Sequence, residues 1–200
     1  HNTISDLDQR LLEAHQRYRA RHPESLRLYE AARQVMPGAN TRTVLHYSPF
    51  PVTVARGEGA KIFDVDGHEY NGCLGEYTAG LYGHNNPIIT SAIHAALDRG
   101  VTLGGPSLME AKLARLMCDR FPAVERVRFC NSGTEANLLA LSAARAFTGR
   151  SNVVVVDGSY HGGVLTFAGE SPLNLPMPFH RIVFNDVEAA ADSIQRMGDS

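Results

Sequence analysis

Apolar positions in the first fifth of the chain recur at helical spacing. Leu7, Leu11, Leu12 and Tyr18 form a stripe within residues 5–21, with Ser5 placed to cap its start. Pro23 opens a second helical stretch over residues 26–36, which Pro37-Gly38 stops. The period then changes to two. Val52, Val54, Ile62, Phe63 and Val65 alternate around Gly57 and Gly59, and Asp66-Gly67 turns the chain towards Tyr70. This predicts a small antiparallel meander with an Asp-Gly hairpin. A glycine-rich connection over 72–83 leads to a helix over 87–99, closed by Gly100. Ser107 and Glu110 have capping-box spacing for a helix reaching Arg120, in which Leu108, Leu113, Leu116, Met117 and Phe121 are expected in the core.

The second half alternates strand and helix. Residues 127–130 read as a short strand, 134–147 as a helix ending at Gly149, and Val153 to Val156 as a parallel strand buried on both faces. A crossover of that length predicts a right-handed parallel unit. Residues 182–184 are expected as a third strand and 187–197 as a third helix. The fold class is α/β.

Composition narrows the function classes. The 200 residues are 44% hydrophobic and 20% charged, with a formal net charge of -2. That apolar fraction suits a packed domain, and the charge is not that of a protein built to grip nucleic acid. Cys73, Cys118 and Cys130 have no C-x-x-C spacing, which points away from zinc ribbons and disulfide frameworks and towards a reducing, cytoplasmic compartment. No apolar run is long enough to suggest a membrane partner. The first residue is His1 rather than Met, so a trimmed start is expected.

Two loops carry chemistry. Asn131-Ser132-Gly133-Thr134-Glu135-Ala136 lies where a strand hands over to a helix, the edge at which open α/β sheets place ligands. Ser132 and Thr134 offer hydroxyls beside the unpaired amides of a first helical turn, an arrangement that suits a phosphate. Ser132 and Glu135 equally satisfy capping-box spacing, which needs no ligand. The second loop, Asp157-Gly158-Ser159-Tyr160-His161-Gly162-Gly163, offers a tyrosine face to stack on a flat ring and a histidine beside it. Together the two loops fit a phosphorylated aromatic cofactor.

These stretches, with Thr148-Gly149-Arg150, Asp64-Val65-Asp66-Gly67 and Gly83-His84, resemble the class III pyridoxal-phosphate aminotransferases, in the branch that includes glutamate-1-semialdehyde aminomutase. Met36-Pro37-Gly38-Ala39-Asn40-Thr41-Arg42-Thr43-Val44, Pro49-Phe50-Pro51 and Glu76-Tyr77-Thr78-Ala79-Gly80 resemble the bacterial β-amino-acid (β-phenylalanine) aminotransferases. The resemblance implies a fold-type I transferase, with an N-terminal helix-and-meander segment over 1–75 and the first part of the large cofactor-binding domain over 76–200. It implies pyridoxal 5'-phosphate held by Ser132, Gly133, Thr134, Tyr160 and His161. Arg42 would bind the substrate carboxylate and Tyr77 would line the pocket. The implied reaction moves an amino group from an amino acid, a β-amino acid by the finer likeness, to a 2-oxo acid. A homodimer is implied as well. Glutamate-1-semialdehyde aminomutase activity is the alternative reading, and a non-catalytic subunit of the same fold is a second. The Schiff-base lysine of the family pattern lies downstream of the Tyr160 loop. Lys61 and Lys112 are the only lysines and neither is in that context, so the catalytic lysine is expected beyond Ser200 and the chain is expected to be the N-terminal part of a longer enzyme.

Overall fold

The computed structural model describes residues 5–165 and 171–198. The chain divides into two compact units, residues 1–104 and 105–200.

The first unit opens with α1 (Asp6–Arg21). Ser5 and Asp8 close a reciprocal capping box at its start. Helix α2 (Pro23–Arg33) begins at a proline, which tolerates the first helical position because its missing N–H had no intrahelical partner. It ends a few residues before the expected stop at Pro37-Gly38. The meander forms as expected: β1 (Val54–Glu58), β2 (Lys61–Asp64) and β3 (Glu69–Asn71) pair antiparallel in sequence order. Gly67 turns the β2–β3 hairpin at a φ of 90°. The same turn caps α2, because the Asp66 carboxylate accepts from the Glu24 and Ser25 amides at 2.7 and 3.0 Å and from the Ser25 hydroxyl at 2.6 Å. A carboxylate there satisfies orphan amides and complements the helix dipole. Phe50 is fully buried, with Tyr18 and Tyr29 rings at 5.0 and 5.9 Å between centroids. A short 3-10 turn (Gly75–Thr78) precedes α3 (Pro87–Leu97), which Asn86 caps and Gly100 closes.

The second unit begins with α4 (Leu108–Arg120) behind the expected Ser107–Glu110 capping box. Its apolar stripe is not core. Leu108, Leu113, Leu116 and Phe121 are exposed, because among the described residues no element packs extensively against α4. Periodicity identified a face to be covered without saying what covers it. Residues 126–130 form no strand, which corrects the expected strand at 127–130. A strand exists only with a ladder partner, and among the described residues the sheet here has two members. They are β4 (Val153–Val156) and β5 (Phe179–Ile182), parallel and in register from Val153 opposite Phe179 to Val156 opposite Ile182. The parallel pair therefore joins different segments from those expected, and β5 starts three residues before the predicted third strand. β4 is not buried on both faces, since Val155 is buried while Val154 is exposed. Helix α5 (Gly133–Thr148) ends at Gly149 in the left-handed region, and α6 (Val187–Met197) packs on β5.

Candidate cofactor and substrate site

The amino end of α5 is built by its own sequence. The Ser132 hydroxyl accepts from the Glu135 amide at 3.1 Å, and the Glu135 carboxylate accepts from the Asn131 amide at 2.8 Å. These two bonds fix the turn and consume those donors, but the second comes from the residue before the cap and not from the Ser132 amide, so the full capping box that the spacing allowed does not form. Among the described residues, the Gly133 and Thr134 amides have no acceptor. Nothing lies within 4 Å of where a Gly133 side chain would begin, so the approach is open. The helix cap and an anion-binding end thus coexist, since they use different amides.

The loop after β4 is tied to that helix. Asn137 Nδ2 donates to the His161 carbonyl at 3.0 Å, and the Gly163 amide donates to the Thr134 hydroxyl at 3.1 Å. His161 Nε2 donates to the Val156 carbonyl at 3.1 Å, which ties its ring to the end of β4. Gly162 has a φ of 113°, and a β-carbon there would sit 3.0 Å from Thr134 Oγ1. The conformation favours glycine, and the gap is tight for any side chain. Tyr160 is 85% exposed, leaving its ring face free.

In the first unit, a groove of about 880 Å³ is lined chiefly by apolar groups, among them Tyr29, Leu45, Tyr47, Val52 and Leu74. Asn40 and Glu76 also line it, which brings the stretch around Arg42 and the stretch around Tyr77 to one cavity. Neither predicted residue lines it directly: Arg42 is exposed, and Tyr77 is half exposed. Glu76, Tyr77 and Thr78 hold φ values of 49°, 53° and 78° in succession. Each such residue costs about 1 kcal/mol, and runs of this kind concentrate at ligand clamps.

The class-III aminotransferase family model matches residues 44–173. The beta-phenylalanine transaminase of Variovorax paradoxus is 51% identical over 98% of this chain, a stretch that makes up 45% of that protein. The chain belongs to the class-III aminotransferases. The crystal structure of the beta-phenylalanine aminotransferase from Variovorax paradoxus superposes with a TM-score of 0.91 over 96% of this chain and 45% of that one. The glutamate-1-semialdehyde 2,1-aminomutase of Heliobacterium modesticaldum is 36% identical over 89% of this chain and 45% of its own length. The fold is therefore that of fold-type I transferases, and the chain spans about half the length of the relatives it matches.

Two features of this aminotransferase chain bear on what the site can hold. A pyridoxal phosphate needs anion donors and a flat apolar contact. The free amides of Gly133 and Thr134 and the open Tyr160 ring are groups of those kinds, so the residues present fit the group. The lysines do not take part in either loop: Lys61 pairs with Glu69 across β2 and β3, and Lys112 is exposed on α4.

Sequence reasoning missed a second polar cluster. His22 Nδ1 donates to the Tyr18 carbonyl at 2.8 Å, while Nε2 meets the Tyr70 hydroxyl at 2.9 Å. Tyr70 donates to Asp64 at 2.7 Å, and the His68 amide and ring donate to the same carboxylate at 2.8 and 3.0 Å. Burial pushes the Asp64 carboxyl up, but the bonds from Tyr70 and His68 outweigh it and pull it from 3.8 to about 2. Burial, then the bond to Asp64, pushes Tyr70 up to about 12. Burial and the Tyr47 hydroxyl likewise raise Tyr18. His22, Asp64 and His68 have metal-ligand chemistry and lie close enough to share an ion. Both His22 ring nitrogens, the Asp64 carboxylate and His68 Nδ1 are engaged within the cluster or by Tyr18 and Tyr70, so the cluster reads as a tie between the α1–α2 corner and the hairpin. The Asp64-Val65-Asp66-Gly67 motif was the available signal. Its two aspartates turn out to serve the tie and the α2 cap.

Proposed function

We propose that this chain supplies cofactor- and substrate-binding residues of a pyridoxal-phosphate-dependent aminotransferase. It takes its amino group from an aromatic β-amino acid and passes it to a 2-oxo acid. The observation that carries this reading is the likeness to the beta-phenylalanine transaminase along nearly all of the chain. The open amides at the α5 end support Ser132, Gly133 and Thr134 as the phosphate grip, with Ser132 shaping the turn and the other two donating. Tyr160 stacks on the cofactor ring, and His161 holds the loop that presents it.

When bound, the cofactor draws electron density from the carbon that carries the amino group. This chain's residues position the partners. The Arg42 guanidinium takes the substrate carboxylate in a forked pair of hydrogen bonds. Tyr77 bounds the substrate pocket, and the apolar groove beside both stretches accepts a ring better than a charged side chain. Neither Lys61 nor Lys112 is assigned to carry the cofactor.

The protein is a homodimer in this reading, supported by its exposed apolar positions. A cytoplasmic setting is supported by three free cysteines. No helix among the described residues is long and apolar enough to cross a membrane.

The test is the visible absorbance of cofactor in the full-length protein. An aromatic β-amino acid should bleach it and a 2-oxo acid should restore it. Turnover of glutamate-1-semialdehyde without response to β-amino acids would replace this reading with the aminomutase. No bound cofactor would leave a non-catalytic subunit.

A further inference from the structure

The two loops assigned to the cofactor are joined by bonds that belong to neither ligand contact. Asn137 lies one helical turn into α5 and reaches the His161 carbonyl at 3.0 Å. Thr134 Oγ1 accepts from the Gly163 amide at 3.1 Å. Between these two staples, Gly162 passes close to Thr134, at a φ of 113° where a side chain would be strained and its β-carbon 3.0 Å from Thr134 Oγ1. The base of the loop is pinned separately. The Asp157 amide donates to the Ile182 carbonyl at 2.8 Å, and the Asp157 carboxylate pairs with Arg181 at 3.2 Å. The loop is therefore held at its base by β5 and at its far end by α5, with Tyr160 between.

The Thr134 hydroxyl has one proton and two lone pairs. Because it accepts from Gly163, its proton is left to donate elsewhere, and an oxygen that donates to an anion becomes a better acceptor. An anion at the α5 end thus strengthens the bond that holds the loop.

We propose that Asn137 and Thr134 form a clamp coupling phosphate occupancy at the α5 amino end to the placement of Tyr160, with Asn137 acting purely as a positioning residue. This rests on the reading of the two loops as a cofactor site. Asn137 touches no ligand in this scheme. It holds the aromatic platform at the distance from the phosphate grip that one rigid ligand requires, so that little ordering remains to be done on binding.

The experiment uses full-length protein stripped of cofactor. Hydrogen exchange is followed over residues 158–163, and dissociation constants are measured separately for pyridoxal phosphate and for inorganic phosphate. In the unaltered protein, inorganic phosphate should slow exchange over 158–163. In Asn137→Ala, exchange there should be about three- to tenfold faster and pyridoxal phosphate should bind about three- to tenfold more weakly, as expected for one lost hydrogen bond. Inorganic phosphate should weaken much less, because the amides that grip it are untouched and only its coupling to the loop is reduced. Asn137→Asp keeps the shape but removes the donor, and should behave like the alanine variant even if that one folds poorly. Asn137→Gln keeps a donor and should recover part of the loss. Exchange over 158–163 as slow as in the unaltered protein would overturn the clamp. So would an equal weakening of both ligands, since that marks general damage. Should the unaltered protein bind no pyridoxal phosphate, the functional reading fails, and the exchange comparison still decides the clamp by itself.

Discussion

Asp64 has no exposed side-chain surface, yet hydrogen bonds hold its carboxyl at about 2. A carboxyl depressed on folding stabilises the native state above the unfolded value of 3.8, and that contribution fades as pH falls through about 2. The shift corresponds to about 2 kcal/mol. Asp64→Asn should therefore lower stability at pH 7 by about 2 kcal/mol, and the gap from the unaltered protein should narrow between pH 4 and pH 2. Urea unfolding at a series of pH values measures both; a gap unchanged down to pH 2 would show that the carboxylate's charge is not what the cluster uses. Arg42 tests a different property, because it is exposed and its removal should leave the fold intact. Arg42→Ala should raise KM for a β-amino acid by about tenfold or more, the worth of charge-assisted hydrogen bonds, with cofactor affinity unchanged. Equal losses in both would refute the carboxylate role.

Elements differ in how far local sequence decided them. The cap at Ser5, the capping box at Ser107, the Asp66-Gly67 turn and the stop at Gly149 were legible because each is settled within four residues. Strands were not. Residues 127–130 have the right side chains but no ladder, and β5 at Phe179–Ile182 was displaced from its apolar run, because pairing depends on residues far away in sequence. The site shows the same division. The phosphate-suited turn was visible as a motif, while Asn137 and the Asp64 cluster appear only when distant segments meet. Gly83-His84 is a case where the motif was seen and its cause was not. His84 bridges to Gly59 through two backbone hydrogen bonds of 2.8 and 3.1 Å. Gly83, at a φ of 75°, has no room for a β-carbon, which would fall 2.7 Å from the Gly59 carbonyl oxygen. Gly83→Ala combines a left-handed backbone with a clash against backbone that cannot rotate away. It should destabilise the protein by about 2–3 kcal/mol, seen as a lowered thermal midpoint. A midpoint within a degree of the original would mean that the bridge gives way freely.

At the scale of the whole molecule, the decisive quantity is surface. The chain exposes 15826 Å². Two separate compact units of half its mass would together expose about 11,000 Å². The excess includes large apolar side chains that no described element covers: Leu108 at 82%, Phe147 at 93%, Phe184 at 77% and Val187 at 76% exposure. Surface of that kind, on this scale, is covered in a functioning protein or else it drives association. These 200 residues produced by themselves should therefore bind a hydrophobic dye strongly and self-associate with rising concentration. A protein extended to the length of the relatives it matches should, at equal concentration, bind little dye and show one stable assembly state. Sedimentation velocity with dye fluorescence separates the two. If the 200 residues alone are monomeric, dye-free and melt in one sharp transition, then their exposed leucines and phenylalanines are an ordinary surface, and the homodimer loses its physical support.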